Sequence, residues 1–376
     1  MDGQGIVNTI MTLFLLLIFA YISQELQIWK MVSEIEAYLS IFRIARDHAL
    51  GVTSNTFKKL LPKSNSSKKI EYEKIKNIDE RIQELVDLTI IEPVNLDPYG
   101  IVKKIKHIIL VTEKTVENEI KIILPNIKRS EIKNLTNLID ATRILNFIYK
   151  FLDHNYRIAR KFKSLWLLMQ IYALLPFITQ EVKALENAIE AFNKGLPVGD
   201  SVGPLVASKL IKKYSGFENI DTPVEDTVIT RVNIDNREIY IVKAQGPGGT
   251  TGRLDDAIEW LFNNIGKKFS MIITVDAALK FEGEKSGTIT QGFGVAIGGT
   301  GVEKFNIEEI ASKHNIPLYA ILIKMSEIEA LSILTKDLYE ATEKALNIIE
   351  RVIRERSIEH DKIILVGVGN TIGIYP

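Results

Sequence analysis

The chain has 376 residues, enough for two domains and a membrane anchor. Lysine plus arginine and aspartate plus glutamate both number 47, and this zero net charge disfavours nucleic acid, whose partners usually carry a basic excess. The absence of cysteine excludes disulfides, thiol nucleophiles and thiolate metal sites, and five isolated histidines disfavour a zinc site, so we expect no metal or cofactor.

Residues 6–23 form an uncharged apolar run that predicts a membrane anchor at 1–25. As a helix the run reaches about 27 Å, enough to cross the hydrocarbon core of a bilayer. A signal peptide would need basic residues in front of the run, where the only charge is that of Asp2. Trp29 suits a membrane interface, and positive charge collects from Lys30 onward, so we expect one span with the bulk of the chain in the cytoplasm. The alternative is a buried core helix.

Residues 26–195 predict an all-helical domain. Residues 24–50 continue the first helix, a polar loop follows at 62–69, and amphipathic helical segments extend from 70 to 194. The expected breaks lie at proline residues: Pro93, Pro98, Pro125 and Pro176. The sequence of this domain contains no paired carboxylates, histidines or hydroxyls in a catalytic pattern.

Two stretches of the helical domain bear on membrane contact. Residues 165–178 are strongly apolar but short and interrupted by Gln170 and Pro176, which favours a core helix over a second span. The basic residues at 157–163 are most simply a solvated helix face, and contact with anionic lipid is the alternative.

Residues 196–376 predict an α/β domain, because short β-type runs alternate with helical text. The predicted strands are 228–234, 238–244, 269–275, 318–323 and 362–368. The predicted helices are 205–213, 254–265, 306–315 and 326–355. A hairpin turn is expected at Asp235 and Asn236. We therefore expect a sheet with helices on its faces.

The stretch from 269 to 301 is the centre of the predicted site. A buried strand ends at Val275, and Asp276 follows it at the edge where open α/β sheets place their ligands. A long glycine-rich loop comes next, which is typical of a binding edge. As a lone residue, Asp276 is most simply a turn cap. Nearby Glu282 and Glu284 are interpreted as solvated loop charges.

Three glycine-rich pieces accompany this stretch. Residues 199–204 read GDSVGP and open a helix, where Asp200 could simply be an N-cap. Residues 245–253 read QGPGGTTGR, and their backbone N–H groups could hold an anion or an oxyanion, although the spacing is not that of a Walker A loop. Residues 367–370 read GVGN without a following helix, so the dinucleotide fingerprint fails. Asp255 and Asp256 are interpreted as helix caps.

Read together, GDSVGP, GPGGTTGRLDD and VDAALKFEGEKSGTIT resemble, in this order, the spore germination protease and, more distantly, the hydrogenase maturation peptidases. The resemblance covers about residues 196–301. It implies an α/β sandwich of the phosphorylase/hydrolase-like kind and a catalytic pair formed by Asp200 and Asp276. It also implies a set of binding residues in the loops: Gly248, Gly249, Thr250, Thr251, Gly252, Thr288 and Asn370.

Two features depart from those families. Their Gly-x-Gly-Asn strand precedes the acidic motif, whereas GVGN ends this chain, and a circularly permuted sheet would reconcile the two orders. The metal-holding histidine of the hydrogenase peptidases has no counterpart after Asp276, which argues against a nickel-reading peptidase. The whole chain also resembles an archaeal family of anchored proteins to which the resemblance assigns no activity. The wealth of Ile, Lys and Glu is typical of heat-adapted proteins.

Three functions remain open at this point. The first is a membrane-anchored peptidase, in which two close carboxyls share a proton and activate water on a peptide or protein substrate. The second is a non-catalytic scaffold that uses the same fold to bind a partner, with the helical domain mediating assembly, for example into a homo-oligomer. The third is a protein that binds a phosphoryl group or nucleotide at glycines 246–252.

Overall fold

The computed structural model describes residues 3–61, 78–89, 91, 100–214, 218–221, 223–266, 268–295 and 301–375. The predicted loop at 62–69 and the breaks at Pro93 and Pro98 lie outside these ranges. The chain forms two compact units. The first contains Met1–Ala49 and Ile144–Val182, and the second contains Leu50–Arg143 and Lys183–Pro376. The division into 1–25, 26–195 and 196–376 stays a prediction.

The first part of the chain is helical, as predicted. Helix α1 is one continuous helix of 58 residues. The helices are α1 (Gly3–Leu60), α2 (Ile78–Asp87), α3 (Ile101–Ile123), α4 (Arg129–Lys161) and α5 (Leu165–Lys194). The predicted break at Pro125 falls between α3 and α4, whereas the break at Pro176 is wrong because α5 continues through it. Proline removes one hydrogen bond, and the many others of a 30-residue helix hold its course.

Among the described residues, two helices are long and apolar enough to cross a membrane, Val7–Leu60 and Leu165–Lys194. The N-terminal apolar segment has the length and composition of a membrane span or of a signal sequence. In α5, which the sequence predicts as a core helix, 22 % of the apolar window is buried. Ile171 and Leu175 lie on its buried side, whereas Trp166 and Phe177 are exposed.

The second unit contains a seven-stranded sheet in the order β1-β2-β3-β7-β4-β6-β5. Its strands are β1 (Glu218–Ile220), β2 (Thr227–Ile234), β3 (Arg237–Ala244), β4 (Met271–Leu279), β5 (Ile289–Phe293), β6 (Leu318–Met325) and β7 (Lys362–Gly367). Strands β3, β7, β4 and β6 are parallel, and the three others pair antiparallel. The last strand of the chain therefore lies between β3 and β4. Strands β1 and β5 were absent from the sequence prediction.

Strand β4 differs from its prediction at the residue that matters most. It was expected to end at Val275, but it continues to Leu279 because its pairing with β6 extends to Met325. Its pairing with β7 ends where Val275 faces Gly367. Asp276 therefore lies inside β4, at the point where the neighbouring strand on one side has stopped.

Helices cover both faces of the sheet, as predicted. One face packs against α6 (Val202–Lys213) and α10 (Lys336–Arg356), and the other packs against α7 (Leu254–Asn264) and α8 (Val302–His314). The expected hairpin joins β2 and β3, with positive φ at both Asp235 and Asn236, as a type I′ turn requires.

The predicted helix 326–355 is two helices, because the chain leaves helical geometry between them. Helix α9 (Glu327–Leu331) begins at a Ser326 capping box, and the side chain of Thr335 caps α10. In the connection, Ile333 forms a bridge with Val198. This bridge places the connection beside the turn that carries Asp200.

Candidate active site

A cavity of about 510 Å³ opens at the carboxyl ends of β3 and β7. The loops after these strands line it, together with β4, the beginnings of α6, α7 and α8, and one side of α3 and α4. It brings together most of the residues that the sequence singled out: Asp200, Asp276, Gly249, Thr250, Thr251, Gly252 and Asn370. The fold thus joins two aspartates that are far apart in the sequence.

Asp200 lies in the 3₁₀ turn Gly199–Ser201 that precedes α6. Its Oδ2 accepts a hydrogen bond of 2.8 Å from the backbone N–H of Asn370, so its partner is the GVGN loop. The contact is close, because a Cβ at Gly369, where φ is +131°, would stand 2.0 Å from the carbonyl oxygen of Asp200. Burial raises the pKa of the Asp200 carboxyl, and the Asn370 N–H opposes this rise.

Asp276 is 3 % exposed, and its Oδ1 accepts a hydrogen bond of 2.7 Å from the N–H of Ala277. Burial, and after it the negative charge of Asp200, raises the pKa of Asp276 to about 9. Glu303 adds a smaller effect in the same direction. Asp276 is therefore protonated at neutral pH. Within the described part of the chain, neither Asp200 nor Asp276 forms an ion pair with a basic side chain.

The glycine-rich loop after β3 is held by helix α4, which the sequence did not predict. Asn134 accepts a hydrogen bond of 2.8 Å from the Gly249 N–H, and the Asn137 amide donates to the Gly249 carbonyl at 2.6 Å. An asparagine pair spaced by three residues on one helix face was the available signal. The hydroxyl of Thr371 donates to the carbonyl of the adjacent Gly248, which holds the loop from the GVGN side.

The expected cradle of free N–H groups is not formed at three positions of this loop. The N–H of Gly249 donates to Asn134, that of Gly252 donates to the Thr250 hydroxyl, and that of Arg253 donates to the Thr227 hydroxyl. These groups are used to fix the shape of the loop. They are consequently not available to a phosphate or an oxyanion.

Thr288 does not reach the cavity. Its side chain is exposed, and its hydroxyl donates to the carbonyl of Lys285 at 2.7 Å. The reason is that the segment after it forms β5, which pairs with β6 at the far edge of the sheet. The sequence placed this segment in a binding loop because its short run gave no sign of a strand.

One wall of the cavity carries carboxylates gathered around a buried lysine. The Lys133 ammonium lies 2.8 Å from Glu113 and 2.6 Å from Asp226, and it also contacts Glu117. Burial opposes the charge of Lys133, but the hydrogen bonds to these acids outweigh burial and raise its pKa. The three carboxylates are close enough to hold a metal ion, yet the Lys133 ammonium already occupies the position between them.

The other wall carries acids at the beginnings of α7 and α8. Asp255, which the sequence interpreted as a cap, accepts hydrogen bonds from Lys106 at 2.7 Å and from Asn306 at 2.5 Å. Its second oxygen is buried and has no hydrogen-bond partner among the residues that the structure describes. Burial, and then the charge of Asp255, raises the pKa of Glu303 to about 7. The sequence missed Glu303 because the predicted helix began four residues late, at 306.

These features define an α/β protein with a carboxyl-lined cavity at the edge of its parallel strands. Residues 9–195 match the N-terminal domain described as protein of unknown function DUF1512, and residues 198–375 match the C-terminal domain of unknown function DUF1512. Because the two matches together span nearly the whole chain, the chain belongs to the DUF1512 family. No curated protein matches its sequence.

Proposed function

We propose that this protein is a membrane-anchored hydrolase that cleaves peptide bonds with Asp200 and Asp276. The observation that carries the proposal is that two carboxyls line one cavity, neither paired with a basic side chain of the described residues, and that burial together with the charge of Asp200 raises the pKa of Asp276. The motif order shared with the spore germination protease supports a peptide substrate. The basic residues after the apolar segment support a cytoplasmic location of the cavity. Archaeal origin and heat adaptation stay predictions.

In this proposal the two carboxyls have different roles. The Asn370 N–H stabilises the anion of Asp200, so Asp200 is the base that takes a proton from the attacking water. Protonated Asp276 donates a hydrogen bond to the carbonyl oxygen of the scissile bond and then transfers its proton to the leaving nitrogen. Cleavage thus consumes one water and leaves Asp200 protonated and Asp276 ionised. Transfer of one proton from Asp200 to Asp276 then restores both carboxyls to their starting states.

Incubation of the full chain in detergent with a mixture of unstructured peptides, followed by mass spectrometry, tests the proposal. We expect cleavage that Asp276→Asn and Asp200→Asn each reduce at least 100-fold, because each removes a proton-transfer group. The matched control is Glu282→Gln, on the exposed loop after β4, which should leave cleavage unchanged. Equal cleavage by the wild type and both aspartate variants would remove the pair from the mechanism.

A non-catalytic binding protein is the second candidate, and one observation favours it. Three N–H groups of the glycine-rich loop are engaged within the protein, so they form no oxyanion hole. The same observation counts against the nucleotide hypothesis. A binding protein would retain an associated peptide or protein partner equally well in the wild type and in the Asp276→Asn variant, and neither would release cleavage products.

A further inference from the structure

In the first unit, α4 and α1 run antiparallel. The Arg46 guanidinium lies over the ring of Tyr149, 4.4 Å from its centroid, and the Tyr156 hydroxyl donates to Glu36 at 2.5 Å. Arg160, one turn further along α4, also donates to Glu36, at 2.9 Å. Increasing residue number on α4 therefore corresponds to decreasing number on α1. The end of α4 points toward the apolar N-terminal segment.

Helix α5 returns beside α1 in the opposite sense. Its Tyr172 hydroxyl lies beside the carboxylate of Glu34. The turn between the two helices, residues 161–166, begins just beyond Arg160, which contacts Glu36. At 1.5 Å per residue, this turn extends about 5–10 Å beyond the level of Glu36. Trp29 and Lys30 lie at the corresponding level on α1.

This turn has a fixed conformation. Lys163 has a positive φ of 50°, and the N–H of Ser164 donates to the carbonyl of Ala159 at 2.9 Å, which ends α4. The Ser164 hydroxyl then accepts a hydrogen bond from the Leu167 N–H, which begins α5. The side chains of the turn are consequently presented in a defined direction.

Three aromatic side chains are exposed at this level. The exposed fractions are 71 % for Trp29, 68 % for Phe162 and 69 % for Trp166. Large apolar side chains grouped in this way are unusual on a surface that faces water, whereas aromatic rings at the ends of a span are typical of a membrane interface. The group lies one to two turns after the apolar run that ends at residue 23.

The turn also carries unpaired positive charge. Lys161 and Lys163 are exposed, and within the described residues neither forms an ion pair, although Lys161 lies over the ring of Phe162. Arg157, one turn earlier on α4, pairs with Asp153. A surface that combines free ammonium groups with exposed rings complements an anionic phospholipid headgroup more closely than it does a neutral protein surface.

We propose that residues 161–166, together with Trp29, form a binding site for the headgroups of anionic phospholipids. The site rests on the membrane span of α1 and is independent of the proposed hydrolase. Binding at this turn would hold the first unit against the cytoplasmic face of the membrane at a second point. Each lysine near an anionic surface contributes about fivefold to association, so the pair contributes roughly 25-fold.

The absence of cysteine allows a direct test with the full chain. Phe162→Cys, labelled with an environment-sensitive fluorophore, is reconstituted in vesicles of phosphatidylcholine with or without 30 mol % phosphatidylglycerol (about a third of the lipid). Spin-labelled headgroups then quench the label in proportion to its contact with lipid. We expect quenching to be several-fold stronger in the anionic vesicles and to weaken in high salt.

Reversing the charge of the two lysines distinguishes binding at this turn from a general electrostatic attraction of the protein to anionic vesicles. Lys161→Glu with Lys163→Glu should abolish the difference between the two vesicle types, whereas the control Lys336→Glu, at an exposed position of α10, should preserve it. Equal quenching in neutral and anionic vesicles, or quenching unaffected by the reversal, would overturn the proposal and favour a protein partner. Release of the chain from the vesicles by alkaline carbonate would show that α1 does not span the bilayer. Because the site depends on that span, this result would also overturn the proposal. None of these outcomes depends on peptide cleavage.

Discussion

Replacing Asp276 by asparagine is expected to stabilise the protein while abolishing its proposed activity. Asp276 ionises in the unfolded chain near its ordinary pKa of 3.8, whereas burial and the charge of Asp200 raise the pKa to about 9 in the fold. Because the folded pKa is the higher one, stability is greatest below pH 3.8 and falls as pH rises toward 9. At pH 7 folding must protonate this carboxyl, which costs about 4 kcal/mol at 1.36 kcal/mol per pH unit.

Asparagine is neutral and can still accept the hydrogen bond of the Ala277 N–H through its oxygen. At pH 7 the variant should therefore unfold roughly 10 °C above the wild type, since 1 kcal/mol corresponds to about 2–4 °C in a domain of this size. The difference should shrink as pH approaches 4. Thermal unfolding of both proteins in detergent across this pH range measures it.

The control for this experiment is Glu282→Gln, which removes an exposed charge and should leave the melting temperature almost unchanged at every pH. An Asp276→Asn variant that melts at or below the wild-type temperature at pH 7 would refute the reasoning. It would mean that Asp276 is ionised in the fold and stabilised by a group not considered above.

Three further substitutions test buried charges and a close backbone contact in the second unit. Lys243 is 1 % exposed, and burial, followed by the charge of Lys212, lowers its pKa to about 8. The charged lysine therefore destabilises the fold below pH 8, and this cost disappears as pH rises toward 10.5. Lys243→Met should raise the free energy of unfolding by about 3 kcal/mol at pH 7, with no gain near pH 11, measured by urea unfolding at both pH values. Gly369→Ala should destabilise by more than about 2 kcal/mol because its Cβ would meet the Asp200 carbonyl, whereas Gly292→Ala, with open space around it, should change the melting temperature little. Lys133→Met should cost about 3–5 kcal/mol near pH 7, because it leaves Glu113 and Glu117 without their cation and Asp226 with Arg129 alone, and acidification should recover part of the loss. A melting temperature that Lys133→Met leaves unchanged would contradict the role of this lysine as the centre of the cluster.

Much of the fold was predictable because its signals are local. Continuous apolar runs mark β3, β4 and β7, and the pair Asp235–Asn236 marks the hairpin, since both residues tolerate positive φ. Strand β5 was not predictable, because its five residues, with Gly292 among them, carry no apolar alternation. Its position depends on pairing with β6, which is a long-range contact.

The sequence singled out the two aspartates of the candidate site, but not Glu303 or the residues of α4 that line the same cavity. Asp200 and Asp276 stand beside recognisable glycine-rich motifs, but no local pattern shows that Asn134 and Asn137 hold the loop or that Lys133 gathers three acids. The two asparagine contacts join residues 112 and 115 positions apart, and Lys133 joins Asp226 to acids of the preceding helix α3. Sequence patterns report the period of one element, whereas such contacts follow from how elements pack.

The sequence by itself determined where the apolar segment, the helices and the central strands lie, because burial on one face or on both leaves a periodic pattern. Only the tertiary structure decided that the last strand enters the middle of the sheet and brings Asn370 to Asp200. It also decided that Asp276 is buried with no cation beside it in the described part of the chain and therefore keeps its proton. Strand order and the electrostatic environment of a carboxyl depend on neighbours from distant parts of the chain, and residue order alone does not specify those neighbours.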